Sequence, residues 1–353
     1  MEKLLTVAVP VYNTKNYLRR CLDSLLQNDI LDELEIIAVN DGSKDSSLEI
    51  LKYYKSKFPN TVRIVDKENG GHGSAVNSGI ANASGKYFRV IDSDDWVSAE
   101  SFSDFVHRLS KEDADLVVSD YRREYSLDSR TELFEFSNLE DGKTYKFEDF
   151  DIALLSGEYF VMAGSTYKTE VLRKCGLSLF EKTYYVDMQY NIVPISEIKT
   201  FSYYRLDIYR YMIGRAEQSV SLASYVKNSL DHERVIKFCV SFFSELKENA
   251  SETVVTYLSI IMNYFLYTHY RIFCLLRKNR YESYSMIKAF DSFLKESSPF
   301  LYNESNKNLF IRIQRRTGFY YLFFGNRIVT RLIFSLNSFT RRVKRLIKSC
   351  LGA

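Results

Sequence analysis

The sequence contains few residues that interrupt or cross-link a chain. Its 353 residues include four prolines and five cysteines. With so little proline, we expect no long disordered linker. The cysteines are odd in number and far apart, at positions 21, 175, 239, 274 and 350. Their spacing predicts neither a disulfide framework nor a metal site, so we expect buried or idle thiols in a reducing compartment.

Long apolar runs are missing as well. The start, MEKLLTVAVPVYN, is apolar, but Pro10 interrupts it and no small-residue cleavage site follows, so we expect no signal peptide. The most hydrophobic later stretch, Val254–Tyr270, includes Thr, Ser, Asn and His. A membrane span requires about 18 or more predominantly apolar residues, so this stretch predicts a buried helix.

Negative charge is absent from the end of the chain. The net charge is +3, yet residues 306–353 contain no Asp or Glu and eleven Lys and Arg. Because these bases alternate with large aliphatic side chains, residues 306–353 are predicted to form a basic amphipathic tail on an anionic membrane surface. A solvated helix face is the alternative, and the pattern is not typical of a nucleic-acid site. We expect a cytoplasmic protein, peripheral on the inner face of the cell membrane.

The first 120 residues, in contrast, show a regular alternation of apolar runs and helical patterns. The apolar runs are Leu4–Val9, Leu34–Asn40, Val62–Lys67, Tyr87–Asp92 and Asp115–Tyr121. Such runs between helices predict βαβ units, and hence an α/β fold with a Rossmann-like, mostly parallel sheet flanked by helices. The pattern is irregular from 122 to about 147, and helical and rich in aromatic residues from 225 to about 300.

Polar clusters follow the first four predicted strands. They are Pro10–Asn13, Asn40–Asp45, Asn69–Ser74 and Asp92–Asp95. Ligands of parallel α/β sheets bind beyond the carboxyl ends of the strands. Four polar clusters along one rim therefore predict a binding cleft.

The fourth cluster contains three carboxylates, Asp92, Asp94 and Asp95. Close carboxylates repel each other but suit a hard divalent cation such as Mg²⁺ or Mn²⁺. Such an ion would neutralise the aspartates, hold a diphosphate and stabilise the charge that develops when the diphosphate leaves. The alternative is an acidic cap for the helix that begins near Ser98.

The second and third clusters have both capping and ligand interpretations. Ser43 or Asp45 could cap the next helix, whereas Asp41 could accept a hydrogen bond from a uracil ring or a ribose hydroxyl. The glycine-rich stretch Asn69–Gly73 precedes a helix, so its backbone N–H groups could face an anion. It is neither a dinucleotide fingerprint nor a P-loop. His72 either contacts a phosphate or closes a turn.

Taken together, these segments resemble the bacterial family 2 glycosyltransferases of the GT-A fold. The resemblance covers Leu5–Asn191 and is carried by VAVPVYN, IIAVNDGSKDSS, NGGHGSAVNSGIANASGKYFRVIDSDDW, AGSTYKTEVLRKCG and YYVDMQYN. It implies a GT-A catalytic domain at 1–222, with a nucleotide-sugar half of about 1–120 and an acceptor half of about 121–222. A helical domain at 223–305 and the basic tail at 306–353 would follow.

The resemblance implies an inverting, metal-dependent transfer of a hexosyl or N-acetylhexosaminyl group. The donor would be a nucleotide-diphosphate sugar, with UDP expected. The acceptor would be a cell-surface glycan or a lipid-linked saccharide, and the cofactor Mn²⁺ or Mg²⁺. A homo-oligomer is possible.

The implied roles fall into four sets. The residues expected at the nucleotide are Val9, Pro10, Tyr12, Asp41, Asn69, Gly70, His72, Asp92 and Ser93. Those expected at the metal are Asp94 and Asp92, with Asp94 the more direct ligand. Those expected at the donor or acceptor sugar are Asp95, Trp96 and Arg215. Asp187 is expected to be the general base that deprotonates the acceptor hydroxyl.

The sequence departs from the family pattern at two places. The base usually lies in a Glu-Asp pair, but here Val186 precedes Asp187, and a solvated helix cap is the alternative role for Asp187. Val76 occupies a position where many relatives have Arg, so the phosphate or donor contact that the resemblance implies there is not expected from this side chain. Tyr211, Arg215 and Gln218–Ser221 loosely resemble the loop that closes over the diphosphate.

Two other functions are compatible with parts of the pattern. A sugar-nucleotide nucleotidyltransferase shares the sheet and the metal-binding acids, but it would need a glycine-rich basic loop where this chain has PVYNTKNY. A non-catalytic sugar-nucleotide-binding subunit would be favoured if Asp187 were far from the acids after strand four. A processive polymer synthase is not expected, because the QxxRW motif is absent.

Overall fold

The computed structural model describes residues 3–126, 129–214, 218 and 221–319. The chain divides into two compact units, Met1–Ile261 and Met262–Ala353, and the division falls inside the helix Glu252–Arg271. The domain boundaries expected at residues 120, 222 and 305 stay predictions.

Within the described residues, the first unit contains one mixed sheet of ten strands. They are β1 (Leu5–Val11), β2 (Leu34–Asp41), β3 (Val62–Lys67), β4 (Tyr87–Val90), β5 (Trp96–Val97), β6 (Leu116–Tyr125), β7 (Thr131–Phe134), β8 (Lys143–Lys146), β9 (Ser165–Lys168) and β10 (Thr200–Ile213). The strand order is β3-β2-β1-β4-β9-β6-β10-β5, with β7 beside β6 and β8 beside β10. Strands β3, β2, β1 and β4 are mutually parallel, as are β6 and β10, whereas β9 is antiparallel to both of its neighbours.

Helices that contact this sheet are α1 (Leu18–Leu25), α2 (Ser47–Lys57), α3 (His72–Asn82), α4 (Ala99–Leu109) and α5 (Thr169–Lys174). The chain continues through α6 (Asp187–Ile192), α7 (Leu222–Lys227), α8 (Ser229–Lys247) and α9 (Glu252–Arg271). Short 3₁₀ helices cover Ile152–Leu155, Met162–Gly164 and Val193–Ser196. The α/β fold with a mostly parallel sheet, flanking helices and a helical C-terminal region is thus confirmed.

The apolar runs of the sequence form the core of the first unit. Every residue of β1 and β2 is buried, as expected for strands covered on both faces. Helix α1 buries Leu18, Cys21, Leu22 and Leu25, whose spacing places them on one face. Helix α3 approaches β1 closely because Gly79 has no side chain, and a Cβ there would lie 2.7 Å from the Cβ of Ala8.

Four of the five predicted strand ends differ from those in the structure, where β1 ends at Val11, β2 at Asp41, β4 at Val90 and β6 at Tyr125. Strand β1 continues through Pro10 to Val11, while β4 ends at Val90, so Ile91 and Asp92 lie beyond it. The stretch Val254–Tyr270 falls within α9 and buries much of its apolar surface, which confirms the predicted buried helix. None of the helices in the described part of the chain is long and apolar enough to cross a membrane.

The described part of the second unit is helical. After α9, a π-helical turn covers Ile272–Leu276, followed by α10 (Arg280–Ser297), α11 (Pro299–Ser305) and α12 (Leu309–Arg316). Arg315 forms an ion pair with Asp291 at 2.7 Å, and its guanidinium lies 3.8 Å from the ring centroid of Tyr302. Most of the predicted basic tail, residues 320–353, lies outside the described residues.

Candidate functional site

The four polar clusters meet at one rim of the sheet and are joined by hydrogen bonds. The first and second clusters exchange two of them: the amide of Asn13 donates to Ser43 Oγ (3.1 Å), and the amide of Lys44 donates to Asn13 Oδ1 (2.8 Å). The side-chain amide of Asn69 donates to the carbonyl of Asp41 (2.9 Å), which joins the third cluster to the second. Thr14, just after the first cluster, donates to Ser93 Oγ (3.0 Å) in the fourth. The predicted common rim is therefore present.

Asp41 holds the glycine-rich loop in place. Its carboxylate is buried and accepts hydrogen bonds from the amides of Gly70 (2.9 Å) and Gly71 (2.7 Å) and from Lys67 Nζ (3.0 Å). Gly71 has a φ of +83°, a conformation that favours glycine. This structural role of Asp41 was not predicted. The sequence pattern that indicates it is an acid at the end of one strand, with a Gly-Gly pair after the next strand.

His72 forms a pair with Asp92 across the rim. His72 Nε2 lies 2.8 Å from Asp92 Oδ1, and both side chains remain partly exposed. Surrounding protein atoms oppose protonation of the histidine, but Asp92, Asp187 and Asp41 outweigh them and raise the pKa of His72. The imidazole is therefore biased towards its cationic form, and it is neither a simple turn residue nor isolated from the acids.

The carboxylates after β4 have different environments. Asp94 is partly exposed, whereas Asp95 is buried. Asp95 accepts hydrogen bonds from the hydroxyl of Tyr209 (2.7 Å) and the amide of Met212 (2.9 Å) in β10. Burial, followed by the nearby charge of Asp92, raises the pKa of Asp95 well above its usual value. The third acid of the cluster thus ties this turn to β10, and its expected contact with a sugar stays a prediction.

Trp96 begins β5 and is partly exposed. The guanidinium of Arg20, on α1, lies 3.2 Å from its ring centroid, within the range of a cation–π contact. Helix α1 thus supports the turn that follows the acids.

Asp187 is the first residue of α6 and is exposed. Protein atoms around its carboxylate displace water and raise its pKa; His72 opposes this shift, and Asp92 adds to it. The charges of His72 and Asp92 thus act on the Asp187 carboxylate, and its expected role as the general base stays a prediction. The negative charge of Asp187 in the first turn of α6 also suits the helix dipole. The alternative role of Asp187, at the start of a helix, is therefore compatible with the same position.

The end of β10 lies close to the same acids. The pKa of Tyr211 is raised by burial and then by Asp95, Asp92 and Asp187. Arg215 and most of the loop that follows Tyr211 lie outside the described residues, so their expected contacts stay predictions.

The remaining expected residues occupy three kinds of position. Val9 and Pro10 are buried within β1, whereas Tyr12, just beyond its end, is 48% exposed. Ser93 is buried at the rim. Val76 is buried in α3, so its side chain supplies no polar contact to the rim.

A metal site made by protein side chains alone is not found among residues 3–126, 129–214, 218 and 221–319. No three His, Cys, Asp or Glu side chains there are arranged so that they could hold an ion together. Any cation bound by Asp92 and Asp94 would need further oxygen ligands from a substrate or from water.

Known proteins resemble the chain in sequence over its first half. Residues 6–176 match the family described as "Glycosyl transferase family 2". The chain is 38% identical over 149 residues to glycosyltransferase GlyA of Streptococcus pneumoniae. This match covers 42% of this chain and 21% of that protein. It is 39% identical over 126 residues to the putative glycosyltransferase EpsH of Bacillus subtilis. This match covers 36% of each of the two chains. The matched segments thus span well under half of these relatives.

Solved structures show a similar fold over most of the chain. The crystal structure of S. aureus TarS 1-349 has a TM-score of 0.64 and 18% identity, and the match covers 90% of this chain and 93% of that one. The same fragment in complex with UDP-GlcNAc has a TM-score of 0.63, with 89% and 92% covered. At this identity, the likeness concerns the fold alone.

Proposed function

We propose that the chain, whose residues 6–176 match glycosyl transferase family 2, transfers a hexosyl or N-acetylhexosaminyl group from a UDP-sugar to a saccharide or lipid-linked saccharide acceptor, with inversion. The proposal rests chiefly on the rim, where His72 Nε2 lies 2.8 Å from Asp92 Oδ1 and the charges of both residues act on Asp187. The UDP-GlcNAc complex of the similarly folded TarS fragment supports a UDP-sugar donor. The match of residues 6–176 to glycosyl transferase family 2 also favours sugar transfer over nucleotidyl transfer.

Asp94 and Asp92 suit a metal ion that is shared with a diphosphate. Asp94 and Asp92 are both partly exposed at the rim, and Asp92 Oδ1 lies 2.8 Å from His72 Nε2. Mg²⁺ and similar ions are commonly held by one or two carboxylates together with substrate phosphates, so these two residues fit without a third acid. The bound ion would supply positive charge that stabilises the leaving diphosphate.

His72 and the rim would bind the rest of the leaving group. The cationic form of His72, favoured by Asp92, places a positive charge beside the position proposed for the diphosphate. Tyr12 is exposed at the end of β1 and would pack against the nucleobase of the donor. Asn69 and Gly70 would line the nucleotide, in a loop whose shape Asp41 fixes.

Asp187 would act as the general base. Its carboxylate takes the proton of the acceptor hydroxyl while that oxygen attacks the anomeric carbon. The bond from this carbon to the diphosphate oxygen breaks on the opposite face, so the configuration inverts and the nucleoside diphosphate leaves with the electron pair. A raised pKa suits this role, because it makes the carboxylate a stronger base at neutral pH.

Binding calorimetry with UDP, with and without Mn²⁺, tests the donor site. Asp94→Asn should remove the gain in UDP affinity that Mn²⁺ gives the wild type. Glu100→Gln is the matched control, because it also neutralises an exposed acid, in the first turn of α4. If Mn²⁺ does not alter UDP binding in the wild type, or if both variants behave alike, the metal–diphosphate assignment is wrong. Release of UDP from a panel of UDP-sugars then tests the transfer itself.

We further propose that the acceptor is reached at an anionic membrane surface through the basic tail. This part of the proposal rests on the eleven bases and the missing acids of residues 306–353. Each base near such a surface contributes about 1 kcal/mol. A tail that holds the chain at the membrane would bring the active site to a lipid-linked acceptor.

A further inference from the structure

Helix α3 contacts both the donor side and the base side of the proposed active site. Its first residue, His72, binds Asp92, while the middle of the helix contacts the loop that leads to Asp187. This loop, residues 176–186, connects α5 with α6. How it is held therefore decides where the proposed base lies.

Asn77 binds the loop with both ends of its side-chain amide. Its Nδ2 donates to the carbonyl of Leu179, and the amide of Leu179 donates to its Oδ1, both at 2.9 Å. The side chain thus pairs with the backbone of Leu179 as a neighbouring strand would. Leu179 itself is buried, so the loop cannot shift at this point without losing both bonds.

Neighbouring contacts hold the same stretch against α3 and α6. The amide of Lys182 donates to the carbonyl of Gly70 (2.5 Å), just before α3. A Cβ on Gly73 would lie 2.4 Å from the carbonyl oxygen of Phe180, so the loop lies directly on the helix. On the other side, the amide of Phe180 donates to Gln189 Oε1 (3.0 Å) in α6.

From these contacts we infer that Asn77 is a positioning residue for the general base. It fixes the 176–186 loop on the helix that also holds Asp92 through His72, and thereby sets the distance between Asp187 and the donor. The inference rests on the proposed function, because it assumes that Asp187 is the base. It assigns Asn77 no contact with substrate.

The test combines Asn77→Asp and Asn77→Ala. The aspartate keeps the acceptor for Leu179 N–H but places a carboxylate oxygen against the Leu179 carbonyl; the alanine removes both bonds and adds no charge, which provides a second variant if the first unfolds. Asn82→Asp is the matched control, because Asn82 ends the same helix, is exposed, and its side-chain amide donates to the carbonyl of Ser78 within that helix.

Three measurements are made on each variant: hydrogen–deuterium exchange of peptides covering 176–186, affinity for UDP with Mn²⁺, and the rate of UDP release from UDP-GlcNAc. We expect faster exchange in this loop, unchanged UDP affinity and a fall in kcat of about 10- to 100-fold, since a misplacement of about 1 Å can cost a factor of 100. The Asn82 variant should match the wild type in all three.

Several results would overturn the inference. Unchanged exchange would show that Asn77 does not hold the loop. Faster exchange with unchanged kcat would show that the loop does not position the base. A parallel loss of UDP affinity would place Asn77 at the donor instead. Failure of the proposed function looks different: the wild type itself would release no UDP from any UDP-sugar, while the exchange data would still report on the Asn77 contact.

Discussion

A buried carboxyl outside the proposed active site gives a sharp test of the structure. Asp120, in β6, is 2% exposed, and the hydroxyl of Tyr203 donates to its Oδ1 at 2.6 Å. Burial is the main cause that raises its pKa, with smaller contributions from Glu135 and Asp207; the bond from Tyr203 and the charge of Arg205 oppose the shift. The result is a pKa of about 7, against an ordinary value of 3.8.

This shift makes stability depend on pH in a defined direction. Between pH 4 and 7 the native carboxyl keeps its proton and the unfolded one loses it, so the native state binds more protons and stability falls as pH rises. The full loss, reached above pH 7, is roughly 4 kcal/mol at 1.36 kcal/mol per pKa unit. Asp120→Asn removes the ionisable group and keeps an oxygen that can accept from Tyr203.

We therefore expect Asp120→Asn to leave stability nearly unchanged at pH 4 and to raise it by up to roughly 4 kcal/mol at pH 8. Urea unfolding across this pH range measures it, with fluorescence of Trp96, the single tryptophan, which lies in the same compact unit. Asp149→Asn neutralises an exposed acid and serves as the control. If Asp120→Asn has the same effect at every pH, or destabilises the protein at pH 8, the argument from burial is refuted.

Four further predictions concern the active site and the tail. Asp187→Asn should lower kcat by about 10²–10⁴-fold with UDP binding kept, since it removes the base; because the base must be unprotonated, wild-type activity should fall as pH drops through its raised pKa, and the variant should lack this limb. Asp41→Asn should cost about 1–3 kcal/mol of unfolding free energy, because an amide cannot accept from all three of its present donors. Gly73→Ala should destabilise the protein by about 1–3 kcal/mol, since its Cβ would meet the carbonyl of Phe180. Deleting Ser335–Ala353, which removes five of the eleven tail bases, should move the protein from anionic vesicles to the supernatant.

Each of these predictions has its own contrary outcome. A normal kcat in the Asp187 variant would favour a non-catalytic sugar-nucleotide-binding subunit. An Asp41→Asn variant that keeps full stability but loses UDP affinity would support the predicted role of Asp41 at the nucleotide. For Gly73→Ala, wild-type stability would show that the loop does not lie on α3 as closely as described. Unchanged vesicle binding after the deletion would exclude the tail as the membrane contact.

The fold could be predicted from the sequence because its signals are local. Apolar runs such as Leu34–Asn40 became buried strands, and their order along the chain dictated a parallel sheet with polar strand ends on one rim. Strands β9 and β5 were missed, since short segments that join a sheet antiparallel, such as Ser165–Lys168, have no periodicity of their own. The pairing of β5 with β10 depends on chain segments more than 100 residues apart.

The individual roles at the rim were less predictable, because the same residue type serves different purposes there. Asp41, Asp94 and Asp95 all follow strands and look alike as motif positions. The structure gives two of them buried backbone donors, the amides of Gly70 and Gly71 for Asp41 and that of Met212 for Asp95. These donors come from segments remote in sequence, so the structural roles of Asp41 and Asp95 become visible only in the tertiary structure.

The same reasoning applies to the proposed donor side and general-base side of the site, which are separated in the chain. Asp92 and Asp187 are on different elements, and neither sequence motif indicates how far apart they lie. Helix α3 contacts the side chain of Asp92 through His72 and the loop before Asp187 through Asn77. Rotation or translation of α3 would therefore move both contacts together. A rigid element that touches both sides can keep their separation constant, which an in-line transfer with fixed stereochemistry requires.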